Sequence, residues 1–292
     1  MPAAPGSVMR ESEWRSRQRE HAGRVRPWIA PRLERRRRGE RHPVDDFLFE
    51  YYSFRPAQLA RWHPGAGALL TGDVSEWARV RGYAVDADGA RVREDAIDHA
   101  AMRHVATLLR RTAERPEALG CFGRHEWAMV YRQGQDQVRH ASWPLRLSPR
   151  QIARVVESSP LRCTHFDAFR FYAPEAIPLN MVQPTRATQA DHEQPGCLHA
   201  AMDLYKWAYR CYPVVGADLT ADLFALAREI REVDMRAAPY DLSPLGYAPI
   251  PIETPEGRAE FVERQREFAR RGQEQRHRLL GALDAAVSAS RA

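Results

Sequence analysis

Residues 218–236 place Leu219, Leu223, Leu226, Ile230 and Val233 at steps of three and four, the spacing that lines one face of an α-helix. The same pattern recurs along the chain. Ile97, Ala101, Val105 and Leu108 share a face in 94–115, which Pro116 closes. A further helix is expected over 197–210. Ser148-Pro149 and Thr254-Pro255 each pair an N-cap residue with proline at the first helical position, opening helices over 149–158 and from 255 to about 285. Shorter helices are expected over 43–52, 56–62 and 117–132, the last with an alternative start after Gly123. Extended structure is predicted at two places, a hairpin around Asp88-Gly89 in 83–93 and the β-branched, aromatic segment 161–172. The Gly-rich stretch 65–93 and the proline-rich stretches 173–196 and 239–255 read as connections longer than the usual 12–15 residues, and long ordered loops tend to carry function. The fold class predicted is mainly α, a single compact helical domain with long irregular loops.

Charge divides the chain at Gly39. Residues 1–41 hold twelve Arg and five Glu, a net +7, whereas the remainder holds 32 basic and 33 acidic residues, a net −1. This predicts an Arg-rich N-terminal arm over 1–41 and a helical catalytic domain over 42–288. Residues 1–8 are expected to be disordered. The arm, partly disordered or helical, should be poorly packed; a basic arm suits DNA or an acidic partner through phosphate contacts, and the interspersed Glu allow a solvated amphipathic helix instead. No apolar run reaches the 18 or more residues of a membrane span, and the N-terminus lacks the apolar core of a secretory signal. A cytoplasmic protein with no membrane partner is expected. Cys121, Cys163, Cys197 and Cys211 form no CxxC pair, which argues against a tetrathiolate zinc site and for buried free thiols.

Glycine-rich phosphate loops and nucleophile elbows are absent. The chemistry-bearing segments are instead blocks of titratable groups among aromatics. His199, Asp203, Lys206 and Trp207 fall at i, i+4, i+7 and i+8 on the expected helix, and Lys206 is the single lysine beside 43 arginines. A lysine offers a tunable pKa and an amine nucleophile that arginine lacks. His42, Asp45, Asp46 and Glu50 lie beside Tyr51 and Tyr52; His125 and Glu126 beside Trp127 and Tyr131; His165 and Asp167 among Phe166, Phe169, Phe171 and Tyr172. Acids interleaved with aromatics suit a flat cationic ligand and equally suit a polar network in a core. These four blocks are expected to line one pocket. Asp234, Arg236 and Asp241 are expected to knot a loop by ion pairs. Asp95-x3-His99 and His199-x3-Asp203 each set a carboxylate one turn from an imidazole, so His99, Glu126, His199 and Asp203 form an alternative di-iron or di-manganese ligand set.

The segments HPVDDFLFEYYSFRPAQLARWHPG, CFGRHEWAMVYR, THFDAFRFY, EQPGCLHAAMDLYKWAY, DMRAAPYDL and ETPEGRAEFVERQREFA resemble a family of actinobacterial proteins commonly named 3-methyladenine DNA glycosylase, over about 42–268. The resemblance implies hydrolysis of the N-glycosidic bond of alkylated purines in DNA, without a cofactor, and supplies no catalytic residue by motif. Such a bond breaks through an oxocarbenium-like state that needs a carboxylate, and the flipped base needs aromatic walls. Asp203, oriented by His199, with Lys206 and Glu126, is the expected catalytic group. Trp127, Trp207, Tyr51, Tyr52, His125, His165 and Asp167 are the expected substrate-binding residues. A metal-dependent helical-bundle oxidase or hydrolase, and a non-catalytic binding protein for nucleic acid or an acidic partner, are the alternative readings.

Overall fold

The structure, a computed structural model, describes residues 7–138 and 142–289. It is mainly α, as the apolar stripes predict. The helices are α1 (Glu11–Arg38), α2 (Phe47–Glu50), α3 (Pro56–Ala60), α4 (His99–Ala113), α5 (Arg124–Met129), α6 (Pro149–Glu157), α7 (Phe166–Phe169), α8 (Gln189–His192), α9 (Leu198–Arg210), α10 (Ala217–Ala237) and α11 (Pro255–Ala289). One small sheet holds β1 (Ser7–Met9), β2 (Ala68–Leu70), β3 (Tyr83–Val85) and β4 (Ala90–Val92). Among the described residues no helix is long and apolar enough to cross a membrane.

Two compact units share these elements. One contains the described residues up to Leu109, Asp203–Ala227 and the described residues from Glu274; the other contains Arg110–Met202 and Arg228–Gln273.

In the first unit the sheet order is β1-β2-β4-β3, with β1 parallel to β2 and the other pairs antiparallel. The β3–β4 pair is the hairpin expected at Asp88-Gly89. Of the stretch expected to be disordered, Ser7 and Val8 instead begin a strand registered on Ala68 and Leu69; residues 1–6 lie outside the described residues. The arm is likewise built in rather than loose. Helix α1 buries Trp14, His21, Val25 and Ile29, steps of seven, four and four that form one narrow stripe. Trp14 joins Met9, Trp62, Leu70, Val74, Trp77, Tyr83 and Ala90 in a tryptophan-rich core, meeting Trp77 edge to face at 5.9 Å and donating its indole N–H to the Thr71 carbonyl at 3.1 Å. The expectation failed because only three apolar residues and one histidine are buried along a helix of 28 residues, too few to stand out among its arginines. The helix also carries Pro27 and Pro31 in its interior. Gly39, at φ 70°, closes it with its N–H on the Arg35 and Arg36 carbonyls, as the left-handed residue after a helix does.

Most of the arm's charge is spent inside the unit. Arg15, Arg17, Arg24, Arg32, Arg35, Arg37 and Arg38 all reach carboxylates. Asp46 is fully buried, accepting from Arg32 at 2.9 Å, Arg35 at 2.5 Å and the His42 N–H at 2.9 Å. Burial disfavours its charge, but the two guanidiniums and the backbone N–H hold the carboxyl below its usual range.

In the second unit, Ser148 caps α6 through the reciprocal pair with Gln151 that the sequence predicts, and Thr254 accepts from the Gly257 N–H at 3.1 Å to start α11. The segment 161–172 is not extended. It makes one bridge, Leu161 to Asn180, and then folds into α7, with the Phe169 N–H on the His165 carbonyl at 2.9 Å. Its aromatic run imitates a strand, but Phe169 and Tyr172 are buried by helical spacing.

Candidate functional site

The second unit holds a buried polar centre built from five segments. The entry to α5 is a tight turn in which the Arg124 N–H donates to the Cys121 carbonyl at 3.0 Å. Its two central residues, Phe122 and Gly123, have φ of 51° and 68°, the type I′ geometry. Glycine suits the second position, and a Cβ there would lie 3.1 Å from Phe261. Phe122 is a bulky residue in left-handed backbone, the kind of outlier that concentrates at functional positions.

The turn sets Cys121 beside His125, with Sγ 3.7 Å from Nδ1. The other ring nitrogen, Nε2, lies 2.9 Å from Asp234 Oδ1 on α10, yet neither atom completes a hydrogen bond there. Asp234 Oδ2 instead accepts from Arg231 at 3.3 Å, and the same guanidinium nitrogen donates to Glu126 at 3.1 Å. His199, in the first turn of α9, packs its ring edge-on to His125 at 4.5 Å and tilted against His165 at 5.3 Å. His165 Nε2 lies 3.2 Å from Glu193, whose carboxylate also takes the Gln189 amide at 2.5 Å. All of these side chains are buried except Cys121, which is half-buried.

The electrostatics follow from that burial. Burial opposes charge on His125, but the Asp234 carboxylate and the Cys121 sulfur outweigh it and raise its pKa well above the ordinary histidine range. Burial would likewise raise Cys121, yet His125 and Arg124 lower it. Asp234 is buried too, and is nonetheless held below the usual carboxylate range by His125, His199 and Arg231. Cys163 is pushed up to about 11, by burial first and the neighbouring Cys121 second.

His125, His199 and Asp234 each offer a donor atom, and the three atoms lie within 4.8 Å of one another. Two ligands at about 2.1 Å from one ion, at 90–110°, stand about 3.0–3.4 Å apart. The His125–Asp234 separation is close to that edge. A small cavity of about 20 Å³ is lined by Cys121, His125, Cys163, Cys197 and His199 but not by Asp234.

Of the expected site residues, His125, His165 and His199 do come together. Others have different roles. Glu126 is an ion-pair partner of Arg231. Trp127 is fully buried and donates to the Ala237 carbonyl at 2.8 Å, a core residue rather than a stacking wall. Asp167 pairs with Arg170 at 3.0 Å. The loop knot is not formed as expected: Asp234 faces His125 and Arg231, Arg236 reaches Glu232 and the Ala248 carbonyl, and Asp241 caps Ser243.

In the first unit, Asp203 is 1% exposed, accepts from the Tyr52 hydroxyl at 2.7 Å and pairs with Lys206. Burial and that carboxylate raise the Tyr52 pKa well above its ordinary value. Lys206 also lies 4.3 Å over the Trp207 ring, and Tyr51 stacks on Phe47 at 5.0 Å. His42 accepts the Asp45 N–H at 3.0 Å in the turn before α2. His99 is exposed and bonded to Glu94 at 3.0 Å, which removes it from any interior ligand set.

Comparison with family models, curated proteins and solved structures finds no match to this chain.

Proposed function

We propose that the protein is a metal-dependent hydrolase whose centre is His125, His199 and Asp234. The convergence of two imidazoles and a carboxylate in a buried site carries this reading. The electrostatics support it: the Asp234 carboxylate that draws a proton onto His125 would equally favour a metal cation in the proton's place. The supporting contacts suit ligands as well. Cys121 engages His125 Nδ1 and leaves Nε2 turned inward, while Arg231 engages Asp234 Oδ2 and leaves Oδ1 turned inward. Outer partners of this kind fix the tautomer and the orientation of ligating groups. An ion held by three protein groups with an open position acts as a Lewis acid and lowers the pKa of bound water.

Alkylated purines in DNA are the substrates to test first, on the resemblance of the sequence blocks to 3-methyladenine DNA glycosylases. Arg19, Arg26 and Arg36 of α1 are exposed and have no carboxylate within 4 Å among the described residues, so they remain for phosphate contacts. The test is metal analysis of the purified chain with its His199→Gln and Asp234→Asn variants, followed by release of free base from methylated DNA. About one ion per chain is expected in the wild type, with at least about a tenfold loss in each variant. Base release should stop with a chelator and return with the metal. Less than about a tenth of an ion per chain after reconstitution with zinc, manganese or iron(II) would refute the reading.

A further inference from the structure

A second cavity in the same unit, about 560 Å³, is lined by Phe122, Arg124, Arg154, Arg258, Ser158 and Ile252 among others. Its size falls within the range of small-molecule sites. Its charge is unusual. Arg124 is 5% exposed and donates to the Ser159 carbonyl and hydroxyl at 2.8 and 2.7 Å and to the Pro160 carbonyl at 2.9 Å. Those groups fix the guanidinium but carry no net charge, and its Nε has no hydrogen-bond partner. Arg258 donates to the Ile252 carbonyl at 3.1 Å. Among the described residues, none of Arg124, Arg154 and Arg258 has a carboxylate within 4 Å. The one acid in the lining, Glu253, is already engaged by Arg146 at 2.8 Å. Burial lowers the pKa of Arg124 against the opposing pull of Cys121 and Tyr172, and Arg162 and Arg258 add to the lowering.

Three arginines without counter-charge, on a cavity with apolar walls from Phe122, Leu147, Val155 and Ile252, match a ligand with a multiply charged anionic end and a flat or apolar body. Guanidinium forks fit phosphate oxygens in pairs. We propose that this cavity binds a phosphate group carried on an organic body of nucleotide size. The backbone ties it to the buried centre: along one turn Phe122 and Arg124 line this cavity, whereas Cys121, Gly123 and His125 line the small one. The phosphate site stands on its own arginines and does not depend on a metal being bound.

Titration calorimetry of the full chain tests it, with adenosine 5′-monophosphate, adenosine and a thymidine tetranucleotide as probes. Either phosphate-bearing probe should bind at least about tenfold more tightly than adenosine, the size of one or more charge-assisted hydrogen bonds. The tighter of the two identifies the source as a mononucleotide or a strand. Arg154→Ala and Arg258→Ala lie outside the buried core and should each weaken that binding by about tenfold with an unchanged circular dichroism spectrum and melting temperature. Arg124→Lys should weaken it further than either. The proposal is overturned if neither phosphate probe binds at millimolar concentration, if adenosine binds equally well, or if Arg154→Ala and Arg258→Ala keep wild-type affinity.

Discussion

Replacing Trp14 by alanine tests how α1 is held. The indole is fully buried against Trp77 and donates to the Thr71 carbonyl. Its removal leaves a cavity of indole size, an unpaired carbonyl and a lost edge-to-face contact. Buried Trp→Ala changes cost about 3–5 kcal/mol from transfer and cavity alone, and the ring pair adds about 1 kcal/mol. Domains have stabilities of about 5–15 kcal/mol, so the variant should lose a third or more of what holds its unit together. In urea melts followed by far-ultraviolet circular dichroism, with m of about 2 kcal/mol/M, the midpoint should fall by about 2 M. Deleting residues 1–41 should then unfold the unit rather than only weaken a nucleic-acid contact. A Trp14→Ala change below about 1 kcal/mol, or a deletion that melts like the wild type, would show α1 to be an appendage and refute the packing argument.

Asp46→Asn should destabilise by about 2–3 kcal/mol, because it removes the buried carboxylate that Arg32 and Arg35 share and leaves them the more exposed Glu50 and Asp45; equal urea midpoints for variant and wild type would contradict this. His63 sits buried against Tyr83 and Tyr212, where burial first, and the neighbouring His21 second, lower its pKa to about 3. The unfolded chain binds this proton at about pH 6.5 and the folded chain does not. Stability is therefore complete above that pH and is lost as pH falls toward 3, at up to about 1.4 kcal/mol per pH unit from this residue. The His63→Gln variant should show a shallower slope between pH 6 and 4, and an unchanged slope would remove His63 as the cause. Tyr52→Phe deletes one of the two polar contacts described for Asp203 and should cost about 1–2 kcal/mol with the Asp203–Lys206 pair retained; an undiminished thermal midpoint would show that the hydroxyl contributes nothing.

The long helices were legible because each writes its own signal in neighbouring residues. Leu219 to Val233 and the Ser148 and Thr254 caps required no knowledge of the rest of the chain. Segment 161–172 misled because β-branched and aromatic residues also fill short helices when burial favours them. The three histidines of the buried centre were legible one at a time, as titratable groups set among aromatics. Their partners were not. Asp234 sits three residues after Arg231, an ordinary neighbouring pair on a helix, and nothing local says that His125 lies opposite. Cys121 and His125 are four apart, as on a helix, but a left-handed turn rather than a helical one joins them. Lys206 stands out as the single lysine and Asp203 as the carboxylate on its helical stripe, and the structure pairs the two with each other.

The two prolines inside α1 bear on when the helix can exist. Each removes a backbone N–H and costs about 3 kcal/mol in a helix interior, and the buried stripe consists of only Trp14, His21, Val25 and Ile29. A peptide covering residues 7–41 should therefore give a coil spectrum on its own. Arg17 and Arg24 find their carboxylates on Asp218 and Asp222, some two hundred residues later in the sequence. The helix's other partners lie nearer, with Trp14 on Trp77, His21 on the Leu59 carbonyl and Arg32 and Arg35 on Asp46. Helix α1 is thus made by the segments it packs on, and it should appear and melt together with them rather than as an independent helix.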